Sequence, residues 1–278
     1  MKIYKTEERI IVENNGLCYE LADTDWDDLI NRDDLHDHLQ HLINNLSPAG
    51  NPDILLTQKI LAPIQNQEIW AAGVTYLRSK TARMEESKES GAASFYDKVY
   101  DAERPELFFK ATAQRTVGHM DFVNIRKDST WDVPEPELTL LITSSGNIAG
   151  YTIGNDMSSR SIEGENPLYL PQAKCYDRCA GLGPCIYVTQ EPISPETTIS
   201  MKILRKGQSV FEGNTLISQM KRSHEELAGY LFREFSFPYG VFLMTGTCVV
   251  PDNDFTLQSK DEIEISIDGI GMLINVVS

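Results

Sequence analysis

The sequence predicts a mostly β (α+β) fold, in which a larger strand-rich unit follows a small N-terminal unit. From residue 105 onward the chain contains repeated apolar and alternating stretches typical of strands, among them ELFFKAT, ELTLLIT, IAGYTIG and EIEISIDGIGMLINVV. Turn-forming residues separate these stretches, and strands do not alternate regularly with helices. We therefore expect mostly β structure with a few helices at its rim.

Two units are predicted, a small N-terminal α+β domain at 1–60 and a larger β domain with the candidate site at 61–278. In the first, two short strands flank the turn ENNG, and a helix with Thr24 or Asp25 as N-cap follows. In the second, the charged residues 80–104 predict a helical excursion or lid, and a helix is expected at roughly 216–233.

Composition excludes several classes of partner. The 278 residues carry a formal net charge of -16, which disfavours nucleic acid and anionic membrane surfaces. Apolar runs fall short of the roughly 18 residues of a membrane span, so we expect a cytoplasmic protein. The odd number of cysteines favours buried free thiols over disulfides or a zinc site; these cysteines are Cys18, Cys175, Cys179, Cys185 and Cys248.

The stretch WDVPEPELTLLIT places two carboxylates, Glu135 and Glu137, at alternate positions of a predicted strand. Alternate side chains of a strand lie on the same face, so these two acids lie together. The following SSGN predicts a turn, and a hairpin centred between Ser145 and Gly146 pairs Glu135 with Asp156. Three acids therefore share one face at one end of the predicted hairpin.

Three neighbouring carboxylates repel one another unless a cation lies between them. All-oxygen ligation is typical of hard ions, so the hypothesis is a Mg²⁺ site, with Mn²⁺ or Ca²⁺ as alternatives. Three protein ligands leave about three of six octahedral positions for water or substrate, which is typical of a catalytic site. The alternative is a solvated edge strand whose acids face water, but the apolar residues LTLLIT that follow favour a site.

The segments PEPELTLLI, GYTIGNDMSSR, QAKCYD and LGP occur in this order, and the pattern resembles the fumarylacetoacetate hydrolase superfamily. That family has an E-x-E strand followed by N-D-x-S-x-R, K-x-x-D and G-P. The resemblance runs from about residue 68 to the C-terminus. It implies a twisted β-roll with a small N-terminal domain, a magnesium ion and a homodimer or homotetramer. It places the metal ligands on Glu135, Glu137 and Asp156, and the catalytic lysine on Lys174.

The predicted activity depends on where the chain departs from that pattern. Family hydrolases carry a His and a Glu on a lid after G-x-N-Y, whereas this chain has Thr75 in place of Asn, Ser79 in place of His and Ala82 in place of Glu. Without that pair the usual general base for water attack is missing, so hydrolysis is disfavoured. Together with GTCVVPD, WDVPEPEL and RPELFFKAT, these departures resemble the 2-keto-3-deoxy-D-arabinonate dehydratase branch of the family.

The resemblance implies a magnesium-dependent lyase (dehydratase) that removes water from a small anionic 2-keto-3-deoxy sugar acid, such as 2-keto-3-deoxy-D-arabinonate, in pentose catabolism. The product would be a semialdehyde such as 2,5-dioxopentanoate. The metal would polarise the C2 carbonyl and acidify the C3 protons. Lys174 is the candidate proton shuttle, with a Schiff base as the alternative. Glu106 is a candidate second acid/base or salt-bridge partner, and Lys110 is expected only to pair with an acid.

Five further residues are candidates for substrate binding. Ser79 and Arg83, on the predicted lid, are candidates for contacting the distal hydroxyl or carboxylate. Glu163 and Glu165, in the segment before the lysine, are candidates for binding sugar hydroxyls, with solvated surface acids as the alternative. Thr247 is the candidate for holding the substrate carboxylate through its hydroxyl and backbone N–H.

Two other classes of function stay open at this point. An acylpyruvate- or fumarylacetoacetate-type C–C bond hydrolase with an unrecognised base would release pyruvate or a similar short 2-keto acid. A non-catalytic binding protein that retains the fold is the third hypothesis, and the intact acids and lysine argue against it. Because stereochemistry at C4 depends on the shape of the pocket, the sequence does not fix which sugar acid is used.

Overall fold

The computed structural model describes residues 1–78 and 93–278 and confirms the mostly β fold class. The strands are β1 (Lys2–Lys5), β2 (Ile10–Asn14), β3 (Leu17–Leu21), β4 (Glu68–Gly73), β5 (Glu106–Thr112), β6 (Thr116–Val117), β7 (Phe122–Val123), β8 (Asp132–Val133), β9 (Pro136–Ile142), β10 (Ile148–Asp156), β11 (Ser158–Ser159), β12 (Ala180–Tyr187), β13 (Thr198–Arg205), β14 (Gln208–Leu216), β15 (Val241–Met244), β16 (Glu262–Ile267) and β17 (Gly271–Val277). The helices are α1 (Trp26–Ile30), α2 (Leu35–Asn44), α3 (Ala93–Asp101), α4 (Arg160–Glu165), α5 (Leu170–Lys174) and α6 (His224–Leu231).

A ten-stranded sheet forms the centre of the molecule. Its strands follow the order β3-β2-β1-β12-β10-β9-β15-β4-β5, and β6 pairs with β12 beside this path. Most neighbours are antiparallel, but β15 runs parallel to β4 and β6 runs parallel to β12. The hairpin β9–β10 therefore lies in the middle of the sheet, while β3 and β5 are its two edge strands among the described residues.

A second, five-stranded sheet packs on one face of the large sheet. Its order is β14-β13-β16-β17-β7, and it contacts the large sheet chiefly through β13, β16 and β17. Helices α1 and α2 cover part of the opposite face, where Trp26, Leu29, Leu35 and Leu39 join the apolar side chains of the large sheet. The large sheet is thus buried on both faces over its central strands.

Strand β9 is fully buried because it lies between these two apolar layers. Leu138, Leu140 and Ile142 belong to the core shared with the five-stranded sheet. Leu141 belongs to the core beneath the N-terminal helices. Side chains alternate along a strand, so Glu137 lies on the same face as Leu141, opposite the second sheet.

The N-terminal segment forms the predicted strands around ENNG, and Asp25 caps α1 by accepting a hydrogen bond from the amide of Asp28 at 3.0 Å. These strands continue the large sheet, since β1 pairs with β12. The predicted helical region is divided into α1 and α2, with Asn31 ending the first of them. The division into domains at 1–60 and 61–278 stays a prediction.

The helix predicted at roughly 216–233 is shorter than expected. Strand β14 continues to Leu216, residues Ile217–Gln219 form a 3₁₀ turn, and the α-helix spans His224–Leu231. The hydroxyl of Ser223 accepts a hydrogen bond from the amide of Glu226 at 3.1 Å, which fixes the start of the helix.

All five cysteines are free thiols, as predicted, and four of them are buried. Burial raises the pKa of the Cys175 thiol to about 11, which keeps it protonated and unreactive at neutral pH. Among the described residues, the helices are too short or too polar to cross a bilayer.

The position of Leu140 between two sheets predicts a large loss of stability on truncation. Leu140→Ala should lower the free energy of unfolding by about 2 to 5 kcal/mol, because it removes buried apolar area and leaves a cavity. Leu17→Ala is the matched control, since Leu17 is 42% exposed, and it should change stability by about 0.5 kcal/mol or less. Urea denaturation followed by circular dichroism measures both, and equal losses would contradict the buried position of β9.

Candidate active site

Three acids meet at one end of the central hairpin. Glu137 pairs with Gly154, and the amide of Asp156 donates to the carbonyl of Glu135 at 2.9 Å, which is the predicted register. The ladder is irregular only between Ile148 and Gly150, close to the turn, so the far end of the hairpin keeps the expected pairing. Carboxylate oxygens of the three acids lie within 4.8 Å of one another, and all three side chains are buried.

Lys174 supplies a positive charge among these acids. It ends α5 and is fully buried. Its Nζ donates to Glu135 Oε2 at 2.6 Å, to Asp156 Oδ2 at 2.9 Å and to Ser158 Oγ at 2.6 Å. All three donors of the ammonium group are therefore used. The structure brings the predicted catalytic lysine into direct contact with two of the predicted metal ligands.

Two further buried cations belong to the cluster. Lys110, on β5, has its Nζ 2.6 Å from Asp156 Oδ1 and donates to the carbonyl of Met157 at 2.9 Å. Arg160, at the start of α4, donates from Nη2 to Glu135 Oε1 at 2.5 Å. The pairing of Lys110 with an acid confirms its prediction. Arg160 had no predicted role, although the N-D-x-S-x-R segment contains it.

Glu137 has a different environment from the other two acids. Its Oε2 accepts a hydrogen bond from the amide of Gly246 at 2.6 Å. Burial raises the pKa of the Glu137 carboxyl well above its ordinary value, and repulsion by Asp156 and Glu135 raises it further. A buried carboxylate in this position is costly unless more positive charge is supplied.

The donor set fits a hard divalent cation. Glu135, Glu137 and Asp156 offer only carboxylate oxygens, and hard cations such as Mg²⁺ prefer oxygen ligands. A bound divalent ion would also offset the repulsion that raises the pKa of Glu137. Within the described part of the chain, Glu135, Glu137 and Asp156 are the side chains that lie close enough together to hold a metal ion.

A small cavity of about 20 Å³ opens beside the acids. Gly73, Phe108 and Thr247 line it together with the acids, Lys174 and Arg160. A space of this size accommodates a single water or ion. Its lining contains five charged side chains, which suits an ion or a polar ligand better than an apolar one.

Glu106 lies next to this cavity, across the β4–β5 ladder from Gly73. Its carboxyl packs directly over that glycine, since a Cβ added at Gly73 would lie 2.0 Å from Glu106 Oε2. The side chain is half-buried, and Oε2 has no hydrogen-bond partner among the described residues. The structure therefore places Glu106 beside Gly73, which lines the cavity, with one oxygen that no described residue hydrogen-bonds.

The predicted substrate-binding residues differ in their positions. Thr247 is buried and lines the cavity. Glu163 is also buried, and its Oε2 lies 3.9 Å from Nε of Arg160, so it is not a solvated surface acid. Glu165 is exposed at the end of α4. Ser79 and Arg83 lie outside the described residues, and their roles stay predictions.

The fold and this acid cluster agree with the comparisons to known proteins. The family model for the fumarylacetoacetate (FAA) hydrolase C-terminal region matches residues 69–278. The chain therefore belongs to the fumarylacetoacetate hydrolase family, which confirms the resemblance predicted from its motifs.

Two relatives indicate the branch of the family. A probable 2-keto-3-deoxyxylonate dehydratase of Haloferax volcanii is 49% identical over 227 residues, which cover 81% of this chain and 77% of the relative. A 2-dehydro-3-deoxy-D-arabinonate dehydratase of Saccharolobus solfataricus is 45% identical over 224 residues, covering 79% of this chain and 74% of the relative.

Solved structures show the same likeness over the whole chain. A 2-keto-3-deoxy-D-arabinonate dehydratase complexed with magnesium and 2,5-dioxopentanoate has a TM-score of 0.84 and 36% identity, covering 100% of this chain and 99% of that one. A hexagonal crystal form of 2-keto-3-deoxyarabinonate dehydratase has a TM-score of 0.86 at the same identity and coverage.

The environment of Glu137 predicts an unusual effect of Glu137→Gln. At pH 8 without metal, this variant should be at least as stable as the unmodified protein, because the amide keeps the shape but removes a buried, repelled charge. A raised pKa means that the folded protein holds a proton that the unfolded chain has lost, so the advantage of the variant should grow as pH rises above the ordinary Glu value of 4.5.

The same variant should lose most of the thermal stabilisation that Mg²⁺ gives the unmodified protein, because one ligand is missing. Melting temperatures in EDTA and in Mg²⁺ between pH 5 and 8 measure both effects. Glu212→Gln, at an exposed position of β14, is the control and should behave like the unmodified protein. Full stabilisation of Glu137→Gln by Mg²⁺ would contradict the assignment of Glu137 as a ligand.

Proposed function

We propose that the protein is a magnesium-dependent dehydratase that removes water from a 2-keto-3-deoxy sugar acid, such as 2-keto-3-deoxy-D-arabinonate, to give a semialdehyde such as 2,5-dioxopentanoate. The observation that carries the proposal is the buried trio of acids in contact with a buried lysine. Relatives that are 49% and 45% identical to this chain over 227 and 224 residues, and are named as dehydratases of such acids, support it.

Glu135, Glu137 and Asp156 would hold the ion, with Mn²⁺ or Ca²⁺ as alternatives to Mg²⁺. When bound, the ion supplies Lewis acidity toward the carboxylate and C2 carbonyl of the keto acid, which makes the C3 protons more acidic. Glu135 and Asp156 are fixed in place by buried cations, and Glu137 accepts a hydrogen bond from the amide of Gly246, so the site is organised before any ligand arrives.

Two residues are suited to the proton transfers. Dehydration requires a proton to leave C3 and another to reach the departing C4 hydroxyl, so one base and one acid suffice. Glu106 is the proposed base, because its Oε2 has no hydrogen-bond partner among the described residues. Lys174 is the proposed acid, because its ammonium group lines the cavity in direct contact with two of the proposed metal ligands. Loss of the C4 hydroxyl leaves an unsaturated 2-keto acid with a C3=C4 double bond. Loss of one proton from C5 and of the C5 hydroxyl proton, with protonation at C3 and C4, then gives the terminal aldehyde.

Other residues are proposed to bind the substrate. Thr247, at the wall of the cavity, would hold the substrate carboxylate through its hydroxyl and backbone N–H. Glu163 is better placed than Glu165 to contact a sugar hydroxyl, since it is buried beside Arg160 while Glu165 is exposed. Ser79 and Arg83 are proposed for the distal end of the substrate on the basis of the sequence alone.

We further propose that the enzyme acts in pentose catabolism in the cytoplasm, as a homodimer or homotetramer. The acidic composition and the free thiols support a cytoplasmic location. Support for an oligomer comes from β5, an edge strand of the large sheet that carries the half-buried Leu107 and Phe109. Such an apolar edge is usually covered by another chain or element.

The proposed reaction predicts a specific product pattern. The purified protein, incubated with a panel of 2-keto-3-deoxy pentonates and hexonates, should form an aldehyde and no pyruvate, and EDTA should abolish turnover. Aldehyde and pyruvate are measured in parallel by derivatisation and by lactate dehydrogenase. Release of pyruvate from a 2,4-diketo acid instead would favour the hydrolase of the C–C bond over the dehydratase.

The assignment of Lys174 predicts a catalytic loss that exceeds any loss of fold. Lys174→Met should lower kcat by about 100- to 10,000-fold, the range for removal of a general acid, while Mg²⁺ still binds. Lys127→Met, at an exposed position, is the matched control and should keep full activity. Turnover assays, circular dichroism and Mg²⁺ titration together separate the two effects. Undiminished turnover by a folded Lys174→Met variant would rule out its proton role.

A further inference from the structure

The peptide that joins Thr245 to Gly246 is held at both of its polar ends. The hydroxyl of Thr75 donates to the carbonyl oxygen of Thr245 at 2.7 Å. On the other side of the same peptide, the amide of Gly246 donates to Oε2 of Glu137 at 2.6 Å. We propose that Thr75 is a positioning residue that holds the carboxylate of Glu137 in its metal-binding orientation through this peptide.

The covalent geometry of a peptide makes this connection effective. The C=O and N–H of a trans peptide lie in one plane and point in opposite directions, so fixing the carbonyl also fixes the amide. A donor on the carbonyl polarises the peptide and strengthens its N–H as a donor. Thr75 and Thr245 are fully buried, so water does not compete for these hydrogen bonds.

The local backbone is shaped for this contact. Gly246 has φ +98, and a Cβ there would lie 2.0 Å from Oγ1 of Thr75, so only glycine allows the approach. Val74, just before Thr75, has φ +54, which is a rare conformation for a β-branched residue. Strain of this kind persists where surrounding contacts hold it, and the amide of Lys221 donates to the carbonyl of Thr75 at 2.9 Å.

Thr75 does not line the cavity, whereas Val74 and Gly246 do. It acts on the site only through its neighbours, which distinguishes it from a catalytic residue. Partners that orient a metal ligand typically change metal affinity by 10- to 100-fold when they are removed. The inference rests on the proposed function only in taking Glu137 as a ligand of Mg²⁺.

The first measurement is Mg²⁺ affinity without substrate. Thr75→Val keeps the shape of the side chain and removes its hydroxyl, and it should weaken Mg²⁺ binding about 10-fold or more in calorimetric titration. Thr75→Ser keeps the hydroxyl and should restore binding. Thr116→Val is the matched control, because it removes a hydroxyl that donates to the carbonyl of Thr112 at 2.9 Å. Thr116 is far from the Thr245–Gly246 peptide in the chain, so this variant should bind Mg²⁺ as tightly as the unmodified protein.

The second measurement observes the peptide itself. Thr245–Gly246 is the only Thr-Gly step in the sequence, so a protein labelled with ¹³C-carbonyl threonine and ¹⁵N-glycine gives one carbonyl-correlated amide signal, that of Gly246. In the metal-free protein this proton should resonate downfield because of its short hydrogen bond to Glu137. It should move upfield in Thr75→Val, and stay in place in Thr75→Ser and Thr116→Val.

Weaker Mg²⁺ binding together with the upfield shift supports the proposal. It is overturned if Thr75→Val binds Mg²⁺ as tightly as the unmodified protein, if its Gly246 signal does not move, or if the unmodified protein binds no Mg²⁺. Should Thr75→Val fail to fold, Thr75→Ala carries the same test. Neither measurement uses a keto acid, so failure of the dehydratase assignment in the turnover panel is a separate result.

Discussion

Charge balance in a water-poor site is the constraint on which this structure depends. Three carboxylates are buried within 4.8 Å of one another, and burying them is costly unless cations pair with them. Each pairing partner comes from a different element: Lys174 from α5, Lys110 from β5 and Arg160 from α4. The elements around the central hairpin are therefore held together by the same contacts that prepare the site for a metal ion.

The part of the site that local rules determine could be predicted from the sequence. Side-chain alternation placed Glu135 and Glu137 on one face, and the SSGN turn fixed the register that brings Asp156 opposite them. The irregularity near Ile148 did not matter, because it lies between the turn and the regular part of the ladder. The same local patterns gave the mostly β class and the strands around ENNG.

The remaining contacts depend on which strands, distant in the chain, become neighbours in the sheet. Local sequence patterns do not predict this order of strands. Lys110 reaches Asp156 because β5, β4 and β15 lie beside β9 in that order from the edge, with a parallel pair among them. Arg160 was part of a recognised motif, but only the folded chain shows which acid it meets. The helix expected at roughly 216–233 was too long, because residues 217–219 form a 3₁₀ turn and the α-helix begins only after its cap at Ser223.

The position of β5 at the margin of the large sheet has a consequence for how activity is lost. This strand carries Lys110 and Glu106, yet it is paired on one side only among the described residues. Outer strands open locally at a smaller free-energy cost than global unfolding requires. Warming should therefore inactivate the enzyme reversibly by fraying of this strand, several degrees before the central sheet melts. A chain or element that covers the strand would then set the upper temperature limit for catalysis.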